Sequence, residues 1–178
     1  MGAVREPKPA KYFVALLSPD NDLLTAAEND LSSICGEIDG RSATVPWTAS
    51  NFYEKEMGRE LLRRFVSFAN LRSPADLAAI KVRTRRFEDA YRAVESGGRR
   101  INLDPGYLDA YKVVLASTKN AGQRIYLGSG IYGEATLLYH DGAFHGLEYT
   151  YRDYLWPETL AFLTEARAHY LTQLREIA

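Results

Sequence analysis

A chain of 178 residues, 46% hydrophobic and 25% charged, fits one compact domain with a sizeable interior and excludes a disordered or fibrous class. A net charge of -1 removes any global field that would gather nucleic acid or an anionic membrane, so neither is expected as a specific partner. The single cysteine, Cys35, excludes an intramolecular disulfide and a cysteine-built zinc cluster, and no apolar run reaches membrane length, so a soluble, cytoplasmic protein is expected.

Residues 1–10 carry two prolines and mixed charge and read as a flexible lead-in to one α+β domain over residues 11–178. YFVALL, at residues 12–17, predicts a buried strand. Asp20 or Asp22 then caps a helix whose Leu23, Leu24, Ala27, Leu31 and Ile34 repeat at helical spacing until Gly36 stops it. Cys35, at that helix end, reads as a small core filler. EIDGRS reads as a turn and residues 43–48 as a strand, with Pro46 at an edge or bulge. In NFYEKEMG, Tyr53 stands beside Glu54 and Glu56, a composition that suits a bound cation or sugar and equally a solvated helical turn. RFVSFA, at residues 64–69, predicts a third strand, and Ser73-Pro74 opens a helix to about Val94. Leu77, Ile80, Phe87, Ala90 and Tyr91 form its inner face, with Lys81, Arg83, Arg85 and Arg86 toward solvent.

Strand, helix, strand, strand, helix, strand through residue 103 is the order of a ferredoxin-like βαββαβ half, an antiparallel sheet with both helices on one face. The other face needs a cover, which residues 104–178 are expected to supply as a helix, an added antiparallel hairpin sheet and a closing helix. Asp104-Pro105 repeats the cap-plus-proline start and predicts a helix to about Ser117, with a strand over residues 112–116 as the competing reading. Strands follow over residues 124–128, 131–140 and 144–150, joined by GSG and by Asp141-Gly142, a strong hairpin signal. The last helix spans residues 158–176.

Gly128, Gly130 and Gly133 match the dinucleotide fingerprint literally, but between two strands rather than before a helix. A nucleotide-binding role for GSGIYG therefore stands as an alternative to a plain turn. His140 and His145 fall diagonally on one face of their hairpin, with no third ligand nearby, so no metal or cofactor is assigned. Glu134 interrupts an apolar strand: a three-residue GSG turn pairs it with Arg124, a two-residue turn with Ile125, and Tyr149 lies on its other side. It reads equally as a structural ion pair and as a site residue. Lys119, Arg124, Tyr126, Tyr149, Tyr151 and Asp153 can converge at one end of this sheet, where the cations neutralise an anion and the tyrosines offer rings and hydroxyls. No Ser-His-Asp or Cys-His signature supports acyl transfer.

NLDPGYLDAYKVVLASTKN, RIYLGSGIYGEATLLY, TYRDY and FYEKEMG together resemble the bacterial family called domain of unknown function 4416, and the likeness covers nearly the whole chain. It implies no activity. Tyr53, Glu56, Asp104, Tyr107, Lys119, Arg124, Glu134 and Asp153 match the family's pattern, whereas Asn51 replaces an aspartate and Arg152 a proline. The functional expectation is a small anionic, for instance phosphorylated, ligand held between the two halves. Lys119, Arg124, Tyr53, Glu56, Tyr107, Tyr126, Tyr149 and Asp153 are the candidate ligand contacts, with Glu134 and Asp104 as candidate acid/base groups. Whether such a site turns its ligand over is left open. The alternative from another class is a protein-interaction module built on a tyrosine-rich surface.

Overall fold

The computed structural model describes residues 2–177. It is a mixed α/β fold of one nine-stranded antiparallel sheet and four helices. The chain begins with strand β1 (Ala10–Ser18) and helix α1 (Asn21–Cys35). Asp20 caps α1 by accepting from the backbone N–H groups of Asp22 and Leu23, and Gly36 ends it at φ 96°. Strands β2 (Ile38–Arg41) and β3 (Val45–Pro46) follow, then the single-turn helix α2 (Glu54–Met57) and the long strand β4 (Leu62–Arg72). Helix α3 (Leu77–Ala90) is reached through a 3-10 turn at Pro74–Asp76 with Ser73 as its cap. The rest of the chain comprises β5 (Asn102–Leu108), β6 (Lys112–Ser117), β7 (Ile125–Gly128), β8 (Ile131–His140) and β9 (Ala143–Gly146), closed by α4 (Pro157–Glu176).

The strand order is β2-β4-β1-β5-β6-β8-β7; β3 continues the β4 edge beyond β2, and β9 pairs with β8. Every residue of β1 is buried, because both faces of the sheet are covered. Tyr12, Val14 and Leu16 pack with Leu24 and Leu31 of α1 and Ile80 of α3. Phe13 and Ala15 point the other way, onto Phe162, Leu163 and Ala166 of α4. Each fully buried Leu or Phe of these layers stabilises the fold by roughly 1.5–3 kcal/mol. Among the described residues no helix is long and apolar enough to cross a membrane.

Three expectations are corrected. EIDGRS is not a turn: Ile38–Arg41 forms β2 on the edge of β4, where buried Lys11 donates to Asp39 at 2.6 Å. The helix expected from Pro105 does not form; β5 and β6 occupy that segment, so Asp104 is a strand residue and caps nothing. The C-terminal strands extend the single sheet rather than making a second one, since β5 pairs with both β1 and β6.

The reason for the second correction is local. Pro105 has no N–H to give a sheet, and β5 joins β6 only from Gly106 onward, through Gly106–Leu115, Tyr107–Val114 and Leu108–Val113. A Cβ on Gly106 would lie 2.6 Å from the Val114 carbonyl oxygen and from Phe13, so only glycine admits the close pairing that begins there. Before Gly106 the two strands part.

Candidate functional site

A cavity of about 690 Å³ opens where β5 and β6 separate. Asn102 and Asp104 line it from β5, Leu115 to Ser117 from β6, Lys81, Arg85 and Glu88 from α3, and Glu134 from β8. Trp47, Phe52 and Tyr53 form an aromatic wall, and Tyr149 to Tyr154, the segment before α4, also line the cavity.

Glu134 reaches the cavity through a β-bulge. Leu115 pairs with Glu134 and Val114 with Ala135, but Val113 pairs with Leu137, leaving Thr136 as the extra residue in β8. The bulge restores parity, so that Glu134 and Leu137, three apart, lie on the same face as Leu115 and Val113. On the far edge of β8, β7 pairs with residues 131–133 and β9 with 137–140, and neither covers the stretch between. Tyr149 hydroxyl donates to the Ala135 carbonyl at 3.0 Å and Thr150 to that of Thr136 at 2.6 Å, in place of a strand. Tyr149 thus neighbours Glu134 by a side chain, not by the extended strand pairing expected over residues 144–150; β9 ends at Gly146.

The turn that decided the Glu134 register has two residues and a bulge. Gly128 pairs with Ile131 around Ser129 and Gly130, whose φ values of 54° and 73° make a type I′ turn, and Leu127 is extra in β7. Ile125 therefore opposes Gly133, which places Arg124 beside Glu134. Arg124 Nε and Gln123 Nε2 both donate to Glu134 Oε2, at 2.8 and 3.1 Å. Glu134 Oε1 is buried and accepts nothing; among the described residues the only other fully buried side-chain polar atoms without a partner are Thr136 Oγ1 and the Tyr154 hydroxyl. Arg124 is further held by the Lys119 carbonyl and by the Tyr151 hydroxyl, at 2.9 and 2.7 Å.

Deeper in, Arg63 places Nε and Nη2 on Asp153 Oδ2 at 3.0 and 2.6 Å, with its guanidinium against the Trp47 and Phe65 rings. Lys81 donates to Asp104 Oδ1 at 3.1 Å and to the Leu103 carbonyl at 2.7 Å, and Asn102 donates to Asp104 Oδ2 at 2.6 Å. Burial acts against the Asp104 carboxylate, but Lys81 and Arg63 outweigh it and hold the group below its ordinary value. Glu88 behaves oppositely: burial raises its carboxyl despite Lys81 and the Leu103 N–H that it accepts at 2.6 Å. Burial also raises the Tyr53 phenol, with Asp104 adding to the effect.

Of the sequence candidates, Tyr53, Asp104, Lys119, Arg124, Glu134, Tyr149 and Asp153 line the cavity. Glu56 does not; it grips Arg99, which does, with oxygen to nitrogen at 2.7 Å, and that hydrogen bond lowers its carboxyl to about 2. Tyr107 packs with Tyr12 in the core beneath α1 and α3, ring centroids 5.9 Å apart. Tyr126 is exposed on β7, where its hydroxyl accepts the Gly130 N–H at 3.3 Å. His140 and His145 stack at 3.9 Å, and among the described residues no group of three or more His, Cys, Asp or Glu could hold a metal. Cys35 is buried, and burial pushes its thiol to about 11, too high for a reactive thiolate.

Lys81 was expected in solvent but is buried, and Glu88 with it, while exposed Arg85 lines the cavity mouth. Their spacing of four and three residues marks one helical stripe, a polar signal that a count of apolar residues passes over. Arg63 was missed too, although it is in phase with Phe65 along β4 and so must share its inward face.

No curated protein and no solved structure matches the chain. Its sequence does match the family described as domain of unknown function 4416 (DUF4416) over residues 8–170, nearly its whole length, and the chain belongs to that family.

Proposed function

We propose that this protein binds a small anionic ligand in the cavity between β5 and β6. The observation that carries the reading is a surplus of positive charge. Four lining cations have carboxylate partners: Arg63 with Asp153, Lys81 with Asp104, Arg99 with Glu56 and Arg124 with Glu134. Three others, Arg85, Lys119 and Arg152, line the same cavity and form no ion pair among the described residues. Lys119 Nζ rests 4.5 Å from the centre of the Phe52 ring, a contact that holds the ammonium at the rim without neutralising it. In this reading Lys119 takes the anion together with Arg85 and Arg152. Arg124 positions Glu134, and Glu134 is the acid/base candidate because one of its oxygens is uncommitted. Asp104, with both oxygens engaged, orients Lys81 and Asn102. The first half we read as a ferredoxin-like unit, supported by the antiparallel order β2-β4-β1-β5.

The nucleotide alternative through GSGIYG is weaker, because the turn lies outside this cavity and its Gly130 N–H is committed to Tyr126. The interaction alternative retains Tyr126 with Ile125 and Leu127, exposed together on the edge strand β7. Thermal unfolding in rising inorganic phosphate, citrate or sulfate tests the main reading. At concentrations too low for these excluded salts to stabilise folds in general, at least one anion should raise Tm with the logarithm of its concentration, a stabilisation of about 2.7 kcal/mol at a hundredfold excess over Kd, and Lys119→Ala with Arg85→Ala should abolish the rise. A rise that survives the double variant, or none with any anion, overturns it.

A further inference from the structure

Resting on that reading, we infer that the anion is one end of a hydroxylated molecule, and that the cavity takes a sugar phosphate whose hydroxyl groups bond Glu134 Oε1 and the Tyr154 hydroxyl. Both atoms are buried, both belong to residues lining the cavity, and neither has a partner in the free protein. Burying an unsatisfied oxygen costs roughly 1–3 kcal/mol, so two such groups at one cavity mark places that a ligand fills.

Their chemistry limits what fills them. A carboxylate oxygen such as Glu134 Oε1 only accepts, so it repels a phosphate oxygen and requires an O–H or N–H. The Tyr154 phenol is held protonated by burial, which makes it a donor and an acceptor, the two roles that a sugar hydroxyl matches. The cations without partners, Arg85, Lys119 and Arg152, suit the phosphate instead. A molecule with a phosphate on one side and several hydroxyls on the other satisfies both sets.

A nucleobase fits less well. The Trp47, Phe52 and Tyr53 rings are already occupied: Arg63 lies over Trp47, Lys119 over Phe52 and Arg99 over Tyr53, and the Trp47 and Phe52 rings meet Tyr53 edge to face. A base would have to displace these contacts to stack. The cavity of about 690 Å³ accommodates a pentose or hexose phosphate without such displacement.

Calorimetric titration of the full chain with inorganic phosphate, glycerol 3-phosphate, ribose 5-phosphate, glucose 6-phosphate, ribose and AMP tests the inference. At least one sugar or polyol phosphate should bind ten times or more tighter than inorganic phosphate, and Tyr154→Phe and Glu134→Gln should each erase most of that margin. Tyr154→Phe removes an atom that bonds to nothing in the free protein, so its folding is expected to be intact and its affinity loss reports the ligand. Equal affinity for phosphate and every sugar phosphate overturns the inference while leaving the anion reading standing; so does a margin that survives Tyr154→Phe, or AMP binding tighter than all the sugar phosphates. Absence of binding by every phosphate overturns the inference, and the anion reading falls with it if citrate and sulfate also leave Tm unchanged.

Discussion

Two arginine–carboxylate pairs line the cavity, and they differ in how the arginine is held. The side chains of Arg63 and Asp153 are 4% and 1% exposed, those of Arg124 and Glu134 6% and 1%. Both arginine side chains are shielded, although Arg63 is a buried residue and Arg124 as a whole only partly buried. Arg63 donates only to Asp153 among the described residues, lies against the Trp47 and Phe65 rings, and acts on Asp104 without a hydrogen bond. Arg124 has two further acceptors, and among the described residues each pair leaves one carboxylate oxygen without a hydrogen bond, Asp153 Oδ1 and Glu134 Oε1. The first pair ties the segment before α4 to β4 through its arginine alone; in the second the arginine is anchored independently of its carboxylate. Replacing Asp153 with Asn strands a buried guanidinium and should cost about 3–5 kcal/mol in denaturant unfolding. Glu134→Gln leaves Arg124 bonded to the Lys119 carbonyl and the Tyr151 hydroxyl and should cost only about 1–2 kcal/mol. Equal losses would break the comparison and make Glu134 a structural residue.

The two sides of β5 offer a second contrast. Toward β1 it pairs along Asn102–Leu108, and toward β6 only from Gly106. Gly106→Ala pushes a methyl into the Val114 carbonyl and the Phe13 ring and should cost about 1–3 kcal/mol, visible as a lower unfolding midpoint. It should also distort the seam at which the cavity opens, lowering phosphate affinity at temperatures where the variant is folded. An unchanged midpoint would mean that the pairing at Gly106 is loose and does not set where the strands part.

LDPG also shows why part of the fold was not legible in the sequence. Asp-Pro before an apolar run is the signature of a helix start, and the only local sign against it was the Val113-Val114-Leu115 run, the competing strand reading that β6 bears out. Only the pairing of β5 with β1, some ninety residues earlier, decides it. Elements set by local chemistry were readable: Asp20 capping α1, Ser73 before α3, and the Asp141-Gly142 turn whose flanks His140 and Ala143 pair as expected. The site divides in the same way. Glu134 announced itself as a charge in an apolar strand, but whether it met Arg124 depended on a bulge at Leu127 that no residue type signals. Arg63 and Arg64 are neighbours of the same type, yet one bonds Asp153 inside and the other Glu28 on the opposite face. Strand parity was the clue, and it needed the phase set by Phe65.

Within the cavity the sharpest remaining contrast is between Asp104 and Glu88, two carboxylates that share Lys81 and shift in opposite directions. For Glu88 burial dominates, so its folded-state value lies above the ordinary 4.5, and ionising it opposes folding. That opposition is absent below pH 4.5, grows as pH rises through the folded-state value and is complete above it. Glu88→Gln retains an oxygen for the Leu103 N–H but cannot ionise. Its Tm should therefore exceed that of the wild type at pH 7 to 8 by a few degrees at most, roughly 1 kcal/mol, with no gain at pH 4. For Asp104 the sign reverses: its stabilising contribution is present above its unfolded value of 3.8 and is lost as pH falls below it. A Glu88→Gln protein less stable than the wild type at pH 7 would show that attraction to Lys81 exceeds the burial cost, and the two carboxylates would then play the same part.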